Sequence, residues 1–507
     1  MAGKHSKDQE QNFRINHSQY YKTKSKKGSE STTMKGQKKK KSNNKLNIFF
    51  KIIAFIYVII TALFYISVLR MNLLPTTYII VLTIAEIIFT LAMVVGLGKK
   101  HKTYKLNIFC MIIVLLLSGV YIYVTNYTNA TTDFLGNVFQ DVIETEEYYV
   151  VVRKNSNYEQ IEDIQNEDVY LFQLTEEESN QLTEQVEVNF QNSDDLIKMG
   201  EELIDGEIDI IYISASQYDI LTEEIEDFEN DVKILNTLKR EIKSIGSMET
   251  ENSKHTINGG VFNVYISGND KNSRRSDANI IVTVNTKTHE VLLTSIPRDY
   301  YVTLHGKQAK DKLTHSGIYG INETVTTVED LLDIDINYYV RVNFTTVKTL
   351  VDTLGGIDVY SEYEFSSYGY HYNQGYNHLD GAAALQFSRE RHAFASGDNQ
   401  RVKNQQAVIE AIMKKVLNST TILTKYTSIL NALEGTFQTN IEQSEISSLV
   451  KDQLNNMSSW TIKTNALTGT GASRTTYSLG SSYAYVMIPD SNSVDAAKEE
   501  IQEVMGE

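Results

Sequence analysis

Arg389, Arg391, Arg401 and Gln405 bring an unusual density of hydrogen-bond donors into one short stretch of this chain. Arg389 and Arg391 are two apart, so on an extended segment both guanidinium groups leave the same face. Arg401 and Gln405 are four apart, which stacks them on one face of a helix, and Asp398 stands where that helix needs an N-cap. Three planar forks and an amide converging on one point suit a ligand with many anionic oxygens, such as a pyrophosphate. Upstream, Asp270 ends an apolar segment and Asp277 follows after a short basic loop containing Arg275. Two carboxylates so placed could hold one Mg²⁺, which keeps several waters and takes its other ligands from phosphate oxygens. The loop is not a calcium loop, because Arg274 stands where a ligand is needed and the required glycine and terminal glutamate are missing. Ile296-Pro297-Arg298-Asp299 adds a further arginine beside an acid. Read singly, each of these residues is a loop acid or a structural ion pair; the group carries the argument.

The elements that must position them follow from hydrophobic pattern. Residues 261–267, 280–284, 291–296 and 338–343 read as strands, and 325–332, 347–354 and 400–417 as helices, the last long and amphipathic. This order predicts an α/β fold, a sheet flanked by helices with polar residues at strand ends, where such folds hold ligands. Before it, residues 128–250 alternate strands (148–152, 169–172, 186–190, 208–213) with helices (175–185, and 194–204 capped by Ser193), predicting a small α/β accessory domain. No cluster there suggests chemistry, and its acidic run at 223–229 reads as a solvated helix face. Residues 241–258 read as a linker, which puts the catalytic domain at 251–507 with its core at about 258–460.

Three apolar runs, 52–69, 78–97 and 106–124, are each long enough to cross a bilayer as a helix. Residues 1–50 carry a net charge of +10, residues 51–127 carry +5, and residues 128–507 carry −31. Lysines flank the first run and fill the loop between the second and third, so the positive-inside rule predicts a cytoplasmic, disordered tail at 1–47, a membrane region at 48–127 and an extracellular remainder. The acidic bulk of the remainder argues against nucleic acid as a partner. Cys110, the single cysteine, excludes a disulfide within the chain. Glu86 lies inside the second run and reads as an interhelical contact.

Arg275-Ser276-Asp277-Ala278-Asn279, Ser295-Ile296-Pro297-Arg298-Asp299, Lys312-Leu313-Thr314-His315-Ser316-Gly317-Ile318-Tyr319-Gly320, Asp352-Thr353-Leu354-Gly355-Gly356-Ile357-Asp358-Val359 and the arginine stretch occur in this order. Together they resemble the LytR-CpsA-Psr family, and the three membrane runs with the acidic domain resemble its capsule-associated branch. The resemblance implies a Gram-positive, membrane-anchored glycopolymer transferase. Such an enzyme moves a glycan phosphate from an undecaprenyl pyrophosphate carrier onto peptidoglycan, with Mg²⁺, at the outer face of the cell membrane. It implies Asp270 and Asp277 as metal ligands, and Arg275, Arg298, Arg389, Arg391, Arg401 and Gln405 as pyrophosphate ligands, with Arg298 also catalytic. Asp398 or Asp299 would position or deprotonate the accepting hydroxyl. The prenyl chain would need an apolar tunnel, for which 347–354 and 408–417 are candidates, and other membrane proteins of polysaccharide synthesis would be further partners.

Two alternatives accompany this reading. A pyrophosphatase or phosphatase of the same lipids would use water at the same site, and a non-enzymatic membrane regulator would bind glycolipid and signal inward. Ser-His-Asp and zinc hydrolysis find no support, since His315 and His392 lie in no ligand spacing and no Gly-x-Ser-x-Gly turn occurs.

Overall fold

The computed structural model describes residues 44–100, 104–138, 143–243, 256–269, 274–395, 397–417, 428–429, 437–456 and 459–506. It divides into two compact units, Met1–Ala130 and Thr131–Glu507. In the first, the three apolar runs form the helices Asn44–Met71, Thr76–Gly98 and Lys105–Ala130, each long and apolar enough to cross a membrane. Asn107 Nδ2 donates to the carbonyls of Gly96, Leu97 and Lys99, tying down the turn between the second and third. Glu86 accepts a hydrogen bond from Tyr121 of the third helix, the interhelical role expected of it.

Among the described residues the second unit holds two large sheets and four small two-stranded ones. The first has five strands in the order Asn189–Asn192, Asp168–Leu171, Ile210–Ser214, Ile143–Arg153, Val232–Lys243. Alternation along the central strands sends Tyr149, Val151, Ile211 and Ile213 to one face, under the helices Leu196–Asp205 and Ala215–Glu224. Tyr148, Val150, Val152, Ile210 and Tyr212 go to the other face, where Leu182 of the helix Glu176–Thr183 joins them. Several local expectations shift. The strand expected at 186–190 begins only at Asn189, because Val186 N still bonds Leu182 O in the last turn of the preceding helix. Asp195, not Ser193, caps the helix that follows, its carboxylate accepting from Lys198 N at 2.9 Å. The expected linker at 241–258 begins inside the strand Val232–Lys243, and residues 244–255 lie outside the described residues.

The second sheet has six strands in the order Phe437–Thr439, Tyr338–Asn343, Val261–Asn269, Ala278–Asn285, Glu290–Ile296, Thr461–Ala466. The inner strands Val261–Asn269, Ala278–Asn285 and Glu290–Ile296, rich in β-branched residues, are buried on both faces, as a sheet covered by helices requires, while the edge strand Thr461–Ala466 is largely exposed. Tyr265, Ile281 and Leu292 pack with Val325 and Val328 of the helix Ile321–Leu332 and with Ile501 of the helix Ser491–Met505. On the other face, Val264, Ile280 and Leu293 meet Ile409 and Met413 of the helix Asp398–Leu417. A truncation such as Leu293→Ala in this core costs about 2–5 kcal/mol. The register is what matters for the site: Gly268 pairs with Ala278 and Asn279 with Ile296. The loop ending at Asp277 and the turn carrying Arg298 therefore leave the same end of adjacent strands.

Candidate anion-binding site

The loop after Val261–Asn269 is held tightly from Arg274 onward. Ser276 N bonds Thr314 O at 3.0 Å, and Ser276 Oγ meets Tyr265 Oη at 2.9 Å and Ser267 Oγ at 2.8 Å. Asp277 N returns to Gly268 O at 2.8 Å, while Arg341 Nη2 donates to Arg274 O at 2.9 Å. The residues of the Lys312–Gly320 motif act as the mould for this loop. Thr314 N bonds Arg298 O at 2.8 Å, and Gly317 leaves room for Arg274, since a Cβ at 317 would lie 2.2 Å from Arg274 O. His315 is structural: its Nδ1 lies 2.7 Å from Asp311 Oδ1, and both residues are buried.

This scaffold brings Arg275, Asp277, Arg298 and Asp299 together. Arg298 Nη1 donates to Asp277 Oδ1 at 2.9 Å, and its Nε stands 3.8 Å from Asp299 Oδ2. Lys312 Nζ lies 4.0 Å from Asp299 Oδ1. The surprise is the group at the centre. Glu223, at the end of the helix Ala215–Glu224, accepts from Arg275 Nη1 at 2.7 Å through Oε2 and from Arg298 Nη2 through Oε1. Arg391 Nη1 approaches the same carboxylate to 3.7 Å, so three guanidinium groups surround one anion. Burial alone would raise the Glu223 carboxyl; the charges of Arg298 and Arg275 outweigh it and hold it well below the usual carboxylate range. Glu224 beside it pairs with Lys312 at 2.6 Å. The expectation that the 223–229 run is merely a solvated face is thus corrected at its first two residues. The missed signal is two acids in the last turn of a helix, where they oppose the helix dipole unless a cation faces them.

The arginine stretch also departs from expectation. Arg389 is the exposed last residue of the helix Gly381–Arg389, so Arg389 and Arg391 do not alternate along an extended segment. Glu390 between them binds Ser367 Oγ and Ala393 N instead, and Arg391 leads away toward Glu223. Asp398 is the first residue of its helix rather than the cap before it; Gly397 precedes it, with its carbonyl accepting from Gln400 N and Arg401 N. Arg401 and Gln405 lie four apart on that helix, as expected, and both are buried. The neighbouring Gln406 fixes the helix to the sheet by donating to Leu293 O and Asn465 O, at 2.8 and 2.6 Å. The faces at 347–354 and 408–417 converge on one apolar cluster with Phe365, Tyr372 and Phe387.

Asp270 lies outside the described residues, so of the two expected metal ligands only Asp277 can be placed. Asp277 Oδ1 accepts from Arg298 Nη1 and, at 3.5 Å, from Thr314 Oγ1. That arrangement fits Mg²⁺, which needs only one or two carboxylates beside water and phosphate oxygens. Among the described residues no group of three or more His, Cys, Asp or Glu could hold an ion by itself.

Residues 221–503, more than half of the chain, match the LytR_cpsA_psr family. A Bacillus cereus protein named polyisoprenyl-teichoic acid–peptidoglycan teichoic acid transferase TagU is 36% identical over 220 residues, covering 43% of this chain and 71% of that protein. The chain belongs to the LytR_cpsA_psr family. TagU of Bacillus licheniformis is 39% identical over 184 residues, or 36% of this chain and 60% of that relative's length. The crystal structure of B. subtilis TagU aligns at 34% identity with 48% of this chain and 96% of its own, with a TM-score of 0.38.

Proposed function

We propose that this protein is a membrane-anchored transferase that moves a glycan phosphate from an undecaprenyl pyrophosphate carrier onto peptidoglycan, attaching a capsule or another secondary wall polymer. The observation that carries this reading is the convergence of Arg275, Arg298 and Arg391 on one carboxylate beside Asp277, at the ends of adjacent strands. Guanidinium groups that close on a carboxylate present the same fork to a phosphate. The similarity to proteins named as teichoic acid transferases supports the substrate class.

In the proposed reaction an acceptor sugar hydroxyl attacks the phosphorus that bears the glycan. The P–O bond to the bridging oxygen breaks, polyprenyl phosphate leaves, and the hydroxyl proton passes to a carboxylate. Arg275, Arg298 and Arg391 would stabilise charge gathering on the phosphate oxygens, the largest contribution a protein makes to such a step. Arg389, Arg401 and Gln405 would hold the second phosphate and the carrier. Mg²⁺, held by Asp277 and Asp270, would supply further charge neutralisation at the pyrophosphate. Asp299 is paired with Arg298 and Lys312, which suits it to fixing Arg298, and the proton-accepting role then falls to Asp398. The apolar cluster joining 347–354 and 408–417 is the proposed seat of the prenyl chain. By the positive-inside rule the basic tail favours an N-terminus inside, and residues 128–507 would then lie outside, where wall attachment would take place.

Removing the gene and measuring each wall-bound polymer tests this assignment. One polymer should be lost from the wall, restored by the intact protein and not by an Arg298→Gln variant. Restoration by Arg298→Gln, or a wall with no polymer lost, would contradict it.

A further inference from the structure

Glu223 belongs to the region of the first sheet, yet its carboxylate sits among the arginines of the second. The helix that carries it is well anchored. Ser214 and Gln217 form a reciprocal cap at its start, Gln217 Nε2 donates to Phe172 O at 2.7 Å, and Ile220 and Leu221 are buried beneath it. Its N-terminal end also touches the catalytic loop, where Arg274 N donates to Ser216 Oγ at 3.1 Å. From this base Glu223 and Glu224 project at the last turn, where carboxylates oppose the helix dipole. What holds them there is the opposing cations, Arg275 and Arg298 for Glu223 and Lys312 for Glu224. Glu223 makes with Arg275 and Arg298 the two-oxygen contact that a phosphate group would make, and it brings Arg391 into reach as a third donor. Its side chain remains 23% exposed, so an incoming anion can reach the arginines it covers.

We propose that Glu223 is an internal stand-in for a phosphate group, one that closes the arginine site until a pyrophosphate displaces it. The inference rests on the arginine cluster being the pyrophosphate site and adds that the 143–243 region governs access to it. A phosphate and the Glu223 carboxylate cannot both take Arg275 Nη1 and Arg298 Nη2, because those donors are committed to Glu223 and like charges at hydrogen-bonding distance repel. Displacement needs only rotation of the Glu223 side chain about its own bonds at the helix end, with the helix base left in place. The plugged state lowers apparent affinity in proportion to its population. A carboxylate in place 90% of the time weakens pyrophosphate binding about tenfold, and one in place 99% of the time about a hundredfold. The device would keep stray anions out of an exposed arginine cluster and reserve it for a donor that also brings a prenyl chain and a cation.

The test uses the full-length protein in lipid nanodiscs with Mg²⁺ present, titrated calorimetrically with inorganic pyrophosphate. Glu223→Gln should bind pyrophosphate at least about tenfold more tightly than the unaltered protein. Pyrophosphate should also raise the variant's thermal midpoint more, since it would then take the place of the missing Glu223 carboxylate. A merely structural Glu223, holding the arginines in place, predicts the reverse: equal or weaker binding in Glu223→Gln overturns the proposal. Should that variant not fold, Glu223→Asp keeps the charge but withdraws it by one methylene; tighter binding supports the plug, and equal or weaker binding overturns it. A third arm separates the two claims. Arg298→Gln should lose pyrophosphate binding whether or not Glu223 is replaced. Pyrophosphate affinity unaffected by Arg298→Gln overturns the arginine site and the plug together, whereas loss there with no gain in Glu223→Gln overturns the plug alone.

Discussion

Replacing Arg298 by lysine separates geometry from charge. Three of its nitrogens face three different carboxylates: Nη1 on Asp277 at 2.9 Å, Nη2 on Glu223, and Nε toward Asp299 at 3.8 Å. A lysine ammonium is a single point of charge and can take one of these places at a time. Two charge-assisted contacts would be lost, each about 1.5–3 kcal/mol in such a setting, with part recovered because the positive charge remains. Arg298 is only 7% exposed, so water replaces little of what is lost. The net cost in stability should be about 1–3 kcal/mol, or a fall of a few degrees in thermal midpoint at roughly 2 °C per kcal/mol. The cost in transfer should be larger, about 10²–10³-fold, because the fork would act where charge gathers on the transferred phosphate. The assay is transfer of a labelled lipid-linked glycan to peptidoglycan, corrected for folded fraction by the melting curve. Transfer within about threefold of the unaltered protein, with the loss of stability observed, would show that Arg298 is only a structural ion pair.

Other consequences are open to direct measurement. Gly317→Ala would set a methyl group 2.2 Å from Arg274 O, so it should lower the thermal midpoint and reduce transfer together by displacing the Arg274–Asp277 loop; a variant with wild-type transfer would show that the loop is not held this way. Arg391→Lys should reduce transfer about 10- to 1000-fold with little change in stability, since its side chain is 41% exposed; unchanged transfer removes it from the site. Asp277→Ala should raise the Mg²⁺ concentration needed for half-maximal transfer by about tenfold or more, and an unaltered Mg²⁺ dependence would end the metal assignment. Asp195 gives a pH test. Burial opposes its ionised form, but bonds from Lys198 N, Ser481 and Ser482 prevail and hold its carboxyl below the usual aspartate range. Its contribution is therefore present above the unfolded-state pKa and lost as the pH falls through the lower folded value. Asp195→Asn should cost about 1–2 kcal/mol near neutrality and progressively less below about pH 4; a deficit constant with pH would refute the linkage.

The placements that were legible in the sequence are those whose partners are close in the chain or fixed by strand periodicity. Asp277 and Arg298 sit at ends of strands that the apolar runs mark plainly, and antiparallel register does the rest. Arg401 and Gln405 share a helix face because 3.6 residues per turn leaves no alternative. The same-face reading of Arg389 and Arg391 failed because the helix begun by Gly381 and three alanines runs through Arg389, so spacing of two no longer means one face. Glu223 was illegible for a different reason. Its partners Arg275 and Arg298 lie 52 and 75 residues away, at the strand ends of another sheet, and an acidic run carries no local mark of which member meets a cation. Its helix Ala215–Glu224 is itself weakly patterned, with buried Ala215, Ser216 and Gln217 in place of an apolar stripe.

Reconstitution tests the proposed transfer most directly. The full-length protein in nanodiscs, with Mg²⁺, would receive a glycan linked to undecaprenyl pyrophosphate, labelled in the sugar, together with peptidoglycan. Label should become covalently bound to peptidoglycan, with one polyprenyl phosphate released for each glycan attached, and Arg298→Gln should give neither product. Label released as free glycan phosphate whether or not peptidoglycan is present would make the protein a hydrolase of these lipids. A lipid-linked glycan left intact would contradict an enzymatic site altogether.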